Sequence, residues 1–266
     1  MAEEKARNKI DHLSASQINL YLQCGLKYKF QYIDRLPRPF KPSGLAFGSV
    51  IHSTLEWFHK ERLRGNAHSL EKLIKVFETD WFSQTVETEI RYKNGEAEKD
   101  LLIIGRQMLT QYFHSNHLRP VAAEVPFNLP LIEPFTGEVL RPTLEGVIDL
   151  VETGHVLVEF KTSAKTMNSD DLQDSHQLTC YAYAYEMLFQ ARPKVIKVLD
   201  FVKTKTPKIV PFETRRGKRD FQRLFHIAKE MLNGISSGVF IPKASFMCKD
   251  CEYEGPCKEW KGNDIE

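Results

Sequence analysis

Residues 144–161, LEGVIDLVETGHVLVEFK, constrain the chain more than any other stretch. Two short β-branched runs flank the turn-like residues Glu152 to His155, a pattern that predicts a β-hairpin. The first run carries one acid, Asp149, between Ile148 and Leu150; the second ends in Glu159-Phe160-Lys161. Strand alternation puts Glu159 and Lys161 on one face and Phe160 on the other. Residues opposite each other in an antiparallel hairpin share a face. If residues 152–156 form a five-residue loop, Asp149 lies across from Glu159 on that face. A four-residue loop pairs Asp149 with Val158 and sends the carboxylates to opposite faces.

Two carboxylates and a lysine at the ends of paired strands form a site for a hard cation. Carboxylate oxygens suit Mg2+ or Mn2+, and Mg2+ keeps several waters and takes other ligands from phosphate. The backbone carbonyl of Phe160 adds a further oxygen. Such a metal polarises a phosphoryl oxygen and lowers the pKa of bound water, while Lys161 orients that water or offsets transition-state charge. On these residues alone, a solvated outer face with an incidental Glu and Lys is an equal reading.

The 266 residues, 42% hydrophobic and 11% aromatic, suffice for one large domain with a substantial core. The formal charge of +2 excludes a bulk polycation, so any nucleic-acid contact must come from local patches. No apolar run approaches the roughly 18 residues of a membrane span, and no signal peptide opens the chain. Met1–Lys9 reads as a loose polar tail. Five cysteines (Cys24, Cys180, Cys248, Cys251 and Cys257) without an export signal point to a reducing, cytoplasmic setting and to metal rather than disulfides.

Along the chain, Ser14 or Ser16 caps a helix in which Ile18, Tyr21, Leu22 and Leu26 recur at helical spacing and Cys24 lies late. Tyr28, Phe30 and Tyr32 alternate with Lys27, Lys29 and Gln31, a pattern of a half-buried element that single-stranded nucleic acid also uses. Three prolines and a glycine make 34–46 a connector, and a helix then runs from Phe47 to about Leu63. On it, Gly48 leaves room beside His52, and Glu56, one turn on, orients the imidazole. Residues 68–117 read as helical with a break near 93–95. The prolines of AAEVPFNLPL suggest an edge strand, with Glu124 facing the same site as Asp149 or pairing with a lysine. A helix from 170 to 190 places Gln177 and Tyr181 one turn apart and buries Cys180. The turn 214–219 offers Arg215, Arg216, Lys218 and Arg219 to phosphates, or is a solvated basic loop.

The tail, FMCKDCEYEGPCKEW, gathers Cys248, Cys251 and Cys257, with Cys24 as the distant fourth. A four-cysteine site stapling the termini selects Zn2+ or an iron–sulfur cluster. One close pair plus two singles leans toward the cluster, and composition does not choose between them.

Taken in order, SASQINLYLQC, GSVIH, GVIDLV, VEFKT, Gln177-x3-Tyr181 and the terminal cysteines resemble the PD-(D/E)XK nuclease superfamily. The likeness is to RecB-like and AddB-like nuclease domains and CRISPR-associated RecB-like exonucleases. Two departures stand out: Ile148 replaces the signature proline, and Gly25 follows Cys24 where many relatives have proline. The resemblance implies that His52, Asp149, Glu159 and Lys161 match the active site, with Phe160 lending its carbonyl to Mg2+ or Mn2+. It also implies that Gln177 and Tyr181 match the accessory helix motif, contacting DNA or supporting Lys161. Cys24, Cys248, Cys251 and Cys257 match [4Fe–4S] ligands. The implied activity is metal-dependent hydrolysis of DNA, as an exonuclease on single strands or ends, leaving 5′-phosphate and 3′-hydroxyl products. Implied partners are DNA and a helicase or a CRISPR adaptation protein, with no membrane.

The expected fold is α/β, with a restriction-endonuclease-like mixed central sheet from strands near 121–128, 143–151, 156–162, 195–202 and 208–212. One nuclease domain spans 1–266: an N-terminal helix and connector (12–46), a helical lobe with His52 (47–118), the core (119–213), and a C-terminal helix with the cysteines (214–266). The competing functions are a catalytically weak DNA-end-binding scaffold, a zinc-stapled hydrolase of another phosphate ester, and a structural partner in a helicase or integration complex. The intact set of active-site residue types favours an enzyme.

Overall fold

The computed structural model describes residues 10–115 and 118–263, with side chains described through residue 260. The expected tail Met1–Lys9 and the expected helix end at His117 lie outside the described residues. In chain order the elements are β1 (His12–Leu13), α1 (Ala15–Gln23), α2 (Gly25–Tyr28) running into a π-turn (Lys29–Ile33), β2 (Lys41–Pro42) and α3 (Ser43–Leu63). They continue with α4 (Leu70–Glu87), β3 (Ile90–Arg91), α5 (Glu98–Ser115), β4 (Pro120–Ile132), β5 (Val139–Glu152) and β6 (Val156–Ser163). Then come α6 (Ser169–Gln173), α7 (His176–Phe189), β7 (Val195–Val202), β8 (Lys208–Thr214), α8 (Lys218–Ser236), a 3-10 turn (Phe246–Asp250) and α9 (Glu254–Asn263). The main sheet is mixed, in the order β1-β5-β6-β7-β8 with β4 also pairing β5.

The chain forms two compact units. Phe40–Pro126 and Val147–Arg215 make one; Met1–Pro39, Phe127–Gly146 and Arg216–Glu266 make the other, so β4 and β5 each run through both.

In the first of these, Leu150 pairs with Val158, Val151 with Leu157 and Glu152 with Val156. The loop is only Thr153-Gly154-His155, with Gly154 and His155 at positive φ (79° and 63°). The register equals that of the five-residue loop, and one step further places Asp149 opposite Glu159. Strand β6 is parallel to β7, and β7 is antiparallel to β8. A parallel pair needs a crossover, which α6 and α7 supply. The expected single helix over 170–190 is two helices. Asn168 caps α6, and the Ser175 hydroxyl accepts the Leu178 N–H to start α7, so local capping outcompetes continuation.

Helix α3 starts at Ser43, four residues before the expected Phe47, with Pro42 at its N-cap (φ −58°, ψ 136°). Its Phe47, Val50, Ile51, Leu55 and Phe58 join Leu73, Phe77 and Trp81 of α4 and Leu101, Met108 and Tyr112 of α5. These pack with Leu150, Val158, Phe160 and Phe201 from the sheet into one core. Gly48 serves a different neighbour from the one expected: a Cβ there would lie 2.8 Å from Thr162 Oγ1, and no His52 side-chain atom comes within 4 Å of it. The glycine lets α3 approach β6, the strand that carries Glu159 and Lys161.

In the other unit, Ser14 caps α1 by accepting the Gln17 N–H. Cys24 is extended (φ −161°, ψ 104°), ending α1 and capping α2, so it is a junction rather than a late helical residue. Strand β1 pairs in parallel with Thr143 and Leu144 of β5.

Candidate active site

Strands β5 and β6 and helices α3 and α7 each bring a side chain to the site around Asp149, which is 8% exposed. The ladder between β5 and β6 ends at Leu150–Val158, and Asp149 Oδ2 takes over by accepting the Phe160 N–H at 2.9 Å. Its other oxygen, Oδ1, accepts the Tyr181 hydroxyl at 3.2 Å. The Gln177 side-chain amide in turn donates to Tyr181 Oη at 3.0 Å. The one-turn spacing on α7 thus builds a relay that fixes Asp149. His52 Nδ1 stands 3.5 Å from Asp149 Oδ2, with its ring edge-on to Phe160. Glu56 is held by Lys60 at 2.5 Å.

Glu159 is 2% exposed. Burial, then the neighbouring Asp149 carboxylate, pushes its pKa well above the ordinary range, against the pull of Lys161. Its Oε2 is buried with no hydrogen-bond partner. Among the described residues the Lys161 ammonium has no hydrogen-bond or ion-pair partner. Phe160 points to the other face, as alternation requires, into a cage of aromatic rings. His59 stacks on it at 5.8 Å and 12°, and Tyr112 meets it edge-on.

The sequence singles out neither His59 nor Asp200, and it offers Glu124 two roles. Glu124 sits in β4 at φ 52°, a left-handed conformation rare for this residue type. Its carboxyl is raised to about 7 by burial and by the Asp149 and Glu56 carboxylates, with Lys60 opposing. His59 is buried, bonded to Tyr112 Oη at 2.6 Å, and held near pKa 3 by burial and Arg62. Asp200, fully buried, accepts from Ser163 Oγ at 2.6 Å and the Met167 N–H at 3.0 Å, so it anchors the loop after Lys161. A lone acid in the apolar run VLDFV was the available signal for it, as it was for Asp149.

The basic turn disperses. Arg215, Lys218 and Arg219 are not buried, whereas Arg216 is 7% exposed and buried, which removes it from an open phosphate-binding loop. Lys218 and Arg219 open α8, where the helix dipole already carries positive charge.

The cysteines form no disulfide. Cys24, Cys251 and Cys257 pack against the small apolar cluster of Leu26, Phe30 and Tyr253. Cys248 is exposed, with its sulfur accepting the Ser245 N–H at 3.4 Å. Cys180 is buried in the α7 core and its thiol is pushed up to about 12 by burial.

Two carboxylates and a lysine presented by adjacent strands of a helix-flanked mixed sheet define a nuclease-type α/β architecture. A family model of the PD-(D/E)XK nuclease superfamily matches residues 12–258, nearly the whole chain. The chain belongs to that superfamily, and its fold is the restriction-endonuclease-like one. It is similar to a solved structure from Eubacterium rectale described as a "putative exonuclease". The TM-score is 0.56 at 11% identity, covering 94% of this chain and 90% of that one. The structure of SSO0001 aligns at 13% identity with a TM-score of 0.37, covering 89% of this chain and 93% of that one. Among curated proteins none matches the chain.

Divalent metals such as Mg2+ are typical of this superfamily. The residues fit such an ion: Glu159 Oε2 is a buried oxygen without a partner, beside a second carboxylate. Among the described residues no group of three or more His, Cys, Asp or Glu side chains is gathered to hold a metal alone, so water and phosphate oxygens must complete any shell here. The cysteines are not gathered either: Cys24, Cys251 and Cys257 each touch one apolar cluster and Cys248 is exposed, and among the described residues no three thiols form a metal-binding group. No helix among the described residues is long and apolar enough to cross a membrane.

Proposed function

We propose that the protein is a Mg2+- or Mn2+-dependent deoxyribonuclease that degrades single-stranded DNA or DNA ends as an exonuclease. One observation carries the reading: Asp149 and Glu159 lie on one face with a buried, unpartnered carboxylate oxygen beside an unpaired lysine. Asp149, Glu159 and the Phe160 carbonyl would hold the ion, with His52 assisting. Bound there, the ion supplies Lewis-acid polarisation of the phosphoryl oxygen and acidification of water. Lys161 orients the attacking water and offsets charge on the phosphoryl oxygens. Tyr181 and Gln177 hold Asp149 in its ligating orientation, in the manner of outer partners of metal ligands.

The same reading assigns a [4Fe–4S] cluster, with Zn2+ as the alternative, to Cys24, Cys248, Cys251 and Cys257. Cys24, Cys251 and Cys257 support it by packing against one apolar cluster, and all four thiols must draw together to form the site. Its role is structural, joining the first helices to the C-terminal segment. A helicase or a CRISPR adaptation protein is the partner class that this family resemblance favours, in the cytoplasm.

The deciding experiment follows end-labelled single-stranded DNA with Mg2+ or Mn2+ for wild type and Lys161→Ala, recording the visible absorbance of each preparation. Metal-dependent loss of DNA in wild type alone is expected. A folded wild type that leaves the DNA intact overturns the reading in favour of a DNA-binding scaffold.

A further inference from the structure

Strands β6 and β7 run parallel and in register, Lys161 beside Asp200 and Ser163 beside Val202. The loop after β7 is basic: KTKTPK places Lys203, Lys205 and Lys208 in six residues without an acid, and Lys165 follows β6 ahead of Asp170 and Asp171 in α6. Lys165, Lys205 and Lys208 are exposed, and Lys203 is half-buried.

Both loops are fixed in place. The Lys203 N–H donates to the Ser163 carbonyl at 2.7 Å, tying the two together. Thr204 Oγ1 closes the β7–β8 turn on the Thr206 carbonyl at 2.6 Å. The carbonyl of buried Pro207 accepts from Gln111 of α5 at 2.8 Å. Asp200, paired in register with Lys161, spends both oxygens on Ser163 and Met167. Lys203 lies 5.1 Å over the Phe47 ring, near Glu96 and Lys93. Glu96 itself is engaged by the Ser43 hydroxyl and the Lys93 N–H. Among the described residues no ion pair neutralises Lys165, Lys203, Lys205 or Lys208.

We propose that this paired-loop ridge, Lys165, Lys203, Lys205 and Lys208, is a docking surface for the sugar-phosphate backbone of a nucleic-acid strand whose neighbouring phosphodiester lies at Lys161. It rests on the nuclease reading for the position of that diester. By register Lys208 and Lys203 lie two and three residue steps beyond the level of Lys161, about 7–10 Å. One strand of a duplex carries a charge per roughly 3.4 Å, so the phosphates next to the reacting one reach this ridge. The loop backbones are already ordered, so binding a phosphate costs only the freedom of the lysine side chains, and the contact is to the backbone rather than to bases.

The test separates binding from hydrolysis. Fluorescence anisotropy of a labelled oligothymidylate is measured in EDTA for wild type, for Lys165→Ala/Lys205→Ala/Lys208→Ala, and for Lys72→Ala/Lys75→Ala/Lys99→Ala. The ridge variant is expected to bind on the order of tenfold more weakly, with a log–log salt slope shallower by about 2. The control, three exposed lysines of α4 and α5, is expected to bind like wild type. Equal loss in control and ridge variants, or no loss in either, overturns the proposal, as does a wild type that does not bind. Ridge-dependent binding without any metal-dependent cleavage overturns the nuclease reading and leaves the docking surface standing.

Discussion

The main-chain N–H of Phe160 donates to Asp149 Oδ2 at 2.9 Å, so one carboxylate both ends the β5–β6 ladder and sets the position of Glu159 and Lys161 beside it. Asparagine at position 149 keeps one acceptor for the Phe160 N–H, presents its amide as a donor to Tyr181 Oη, and loses the charge. Asp149→Asn is therefore expected to melt close to wild type and to lose at least about 10²-fold in cleavage, the scale of removing one group that stabilises developing charge. Asp149→Ala strands the Phe160 N–H and the Tyr181 hydroxyl, at about 1–3 kcal/mol each. Urea unfolding and single-turnover cleavage of both variants separate the two roles. Wild-type cleavage by the asparagine variant would remove Asp149 from the chemistry.

Gly48 and Thr162 form a close helix-to-strand approach at the site, since any Cβ on residue 48 would lie 2.8 Å from Thr162 Oγ1. Gly48→Ala is expected to cost about 1–3 kcal/mol through overpacking. Removing the opposing hydroxyl with Thr162→Ala should restore more than half of that loss in the double variant. Urea midpoints across the four-protein cycle give the coupling, and additive losses would show that the clash is absorbed elsewhere.

What the sequence revealed and what it hid follow from how locally each feature is determined. The sequence leaves two hairpin registers open, and the structure takes the one with Asp149 opposite Glu159 because a one-residue slip would turn Ile148, Leu150, Val158 and Phe160 out of the core. The relay from Gln177 through Tyr181 was legible as helical spacing, but its target, Asp149, is a tertiary fact. Cys24 and Ser175 look like mid-helix residues by periodicity, and capping side chains break the helices there. His59 resembles any helical histidine until Phe160 and Tyr112 close around it. Arg216 belongs to a basic run by sequence and to the interior by burial, which no local pattern signals.

The thiols differ enough in environment to be ordered by reactivity. Cys248 is exposed, while burial raises the Cys251 thiol and raises that of Cys180 to about 12. In metal-free protein, iodoacetamide at neutral pH is expected to label Cys248 first and to spare Cys180, since only the thiolate reacts. Loading with iron and sulfide should then protect Cys248 along with Cys24, Cys251 and Cys257. Peptide mapping by mass spectrometry reads this out, and continued labelling of Cys248 in brown, cluster-loaded protein would exclude it as a ligand.

The carboxylates around Asp149 also set a pH dependence whose sign is fixed. Glu124 titrates at about 7 in the fold against an ordinary value of 4.5, and burial together with Asp149 raises Glu159 as well. The folded state therefore holds more protons than the unfolded chain between roughly pH 4.5 and 7, and metal-free stability falls as pH rises through that window. His59 acts from the other side: its pKa near 3 against 6.5 means that stability is lost as pH falls below about 6.5. Glu124→Gln removes one of the groups responsible for the alkaline-side loss. In EDTA its melting temperature should exceed that of wild type by more at about pH 8 than at about pH 5. Mn2+ should raise the wild-type melting temperature more at the higher of these pH values, because protons compete for the same oxygens. A gap between variant and wild type that stays constant across that range would show that Glu124 does not carry this charge.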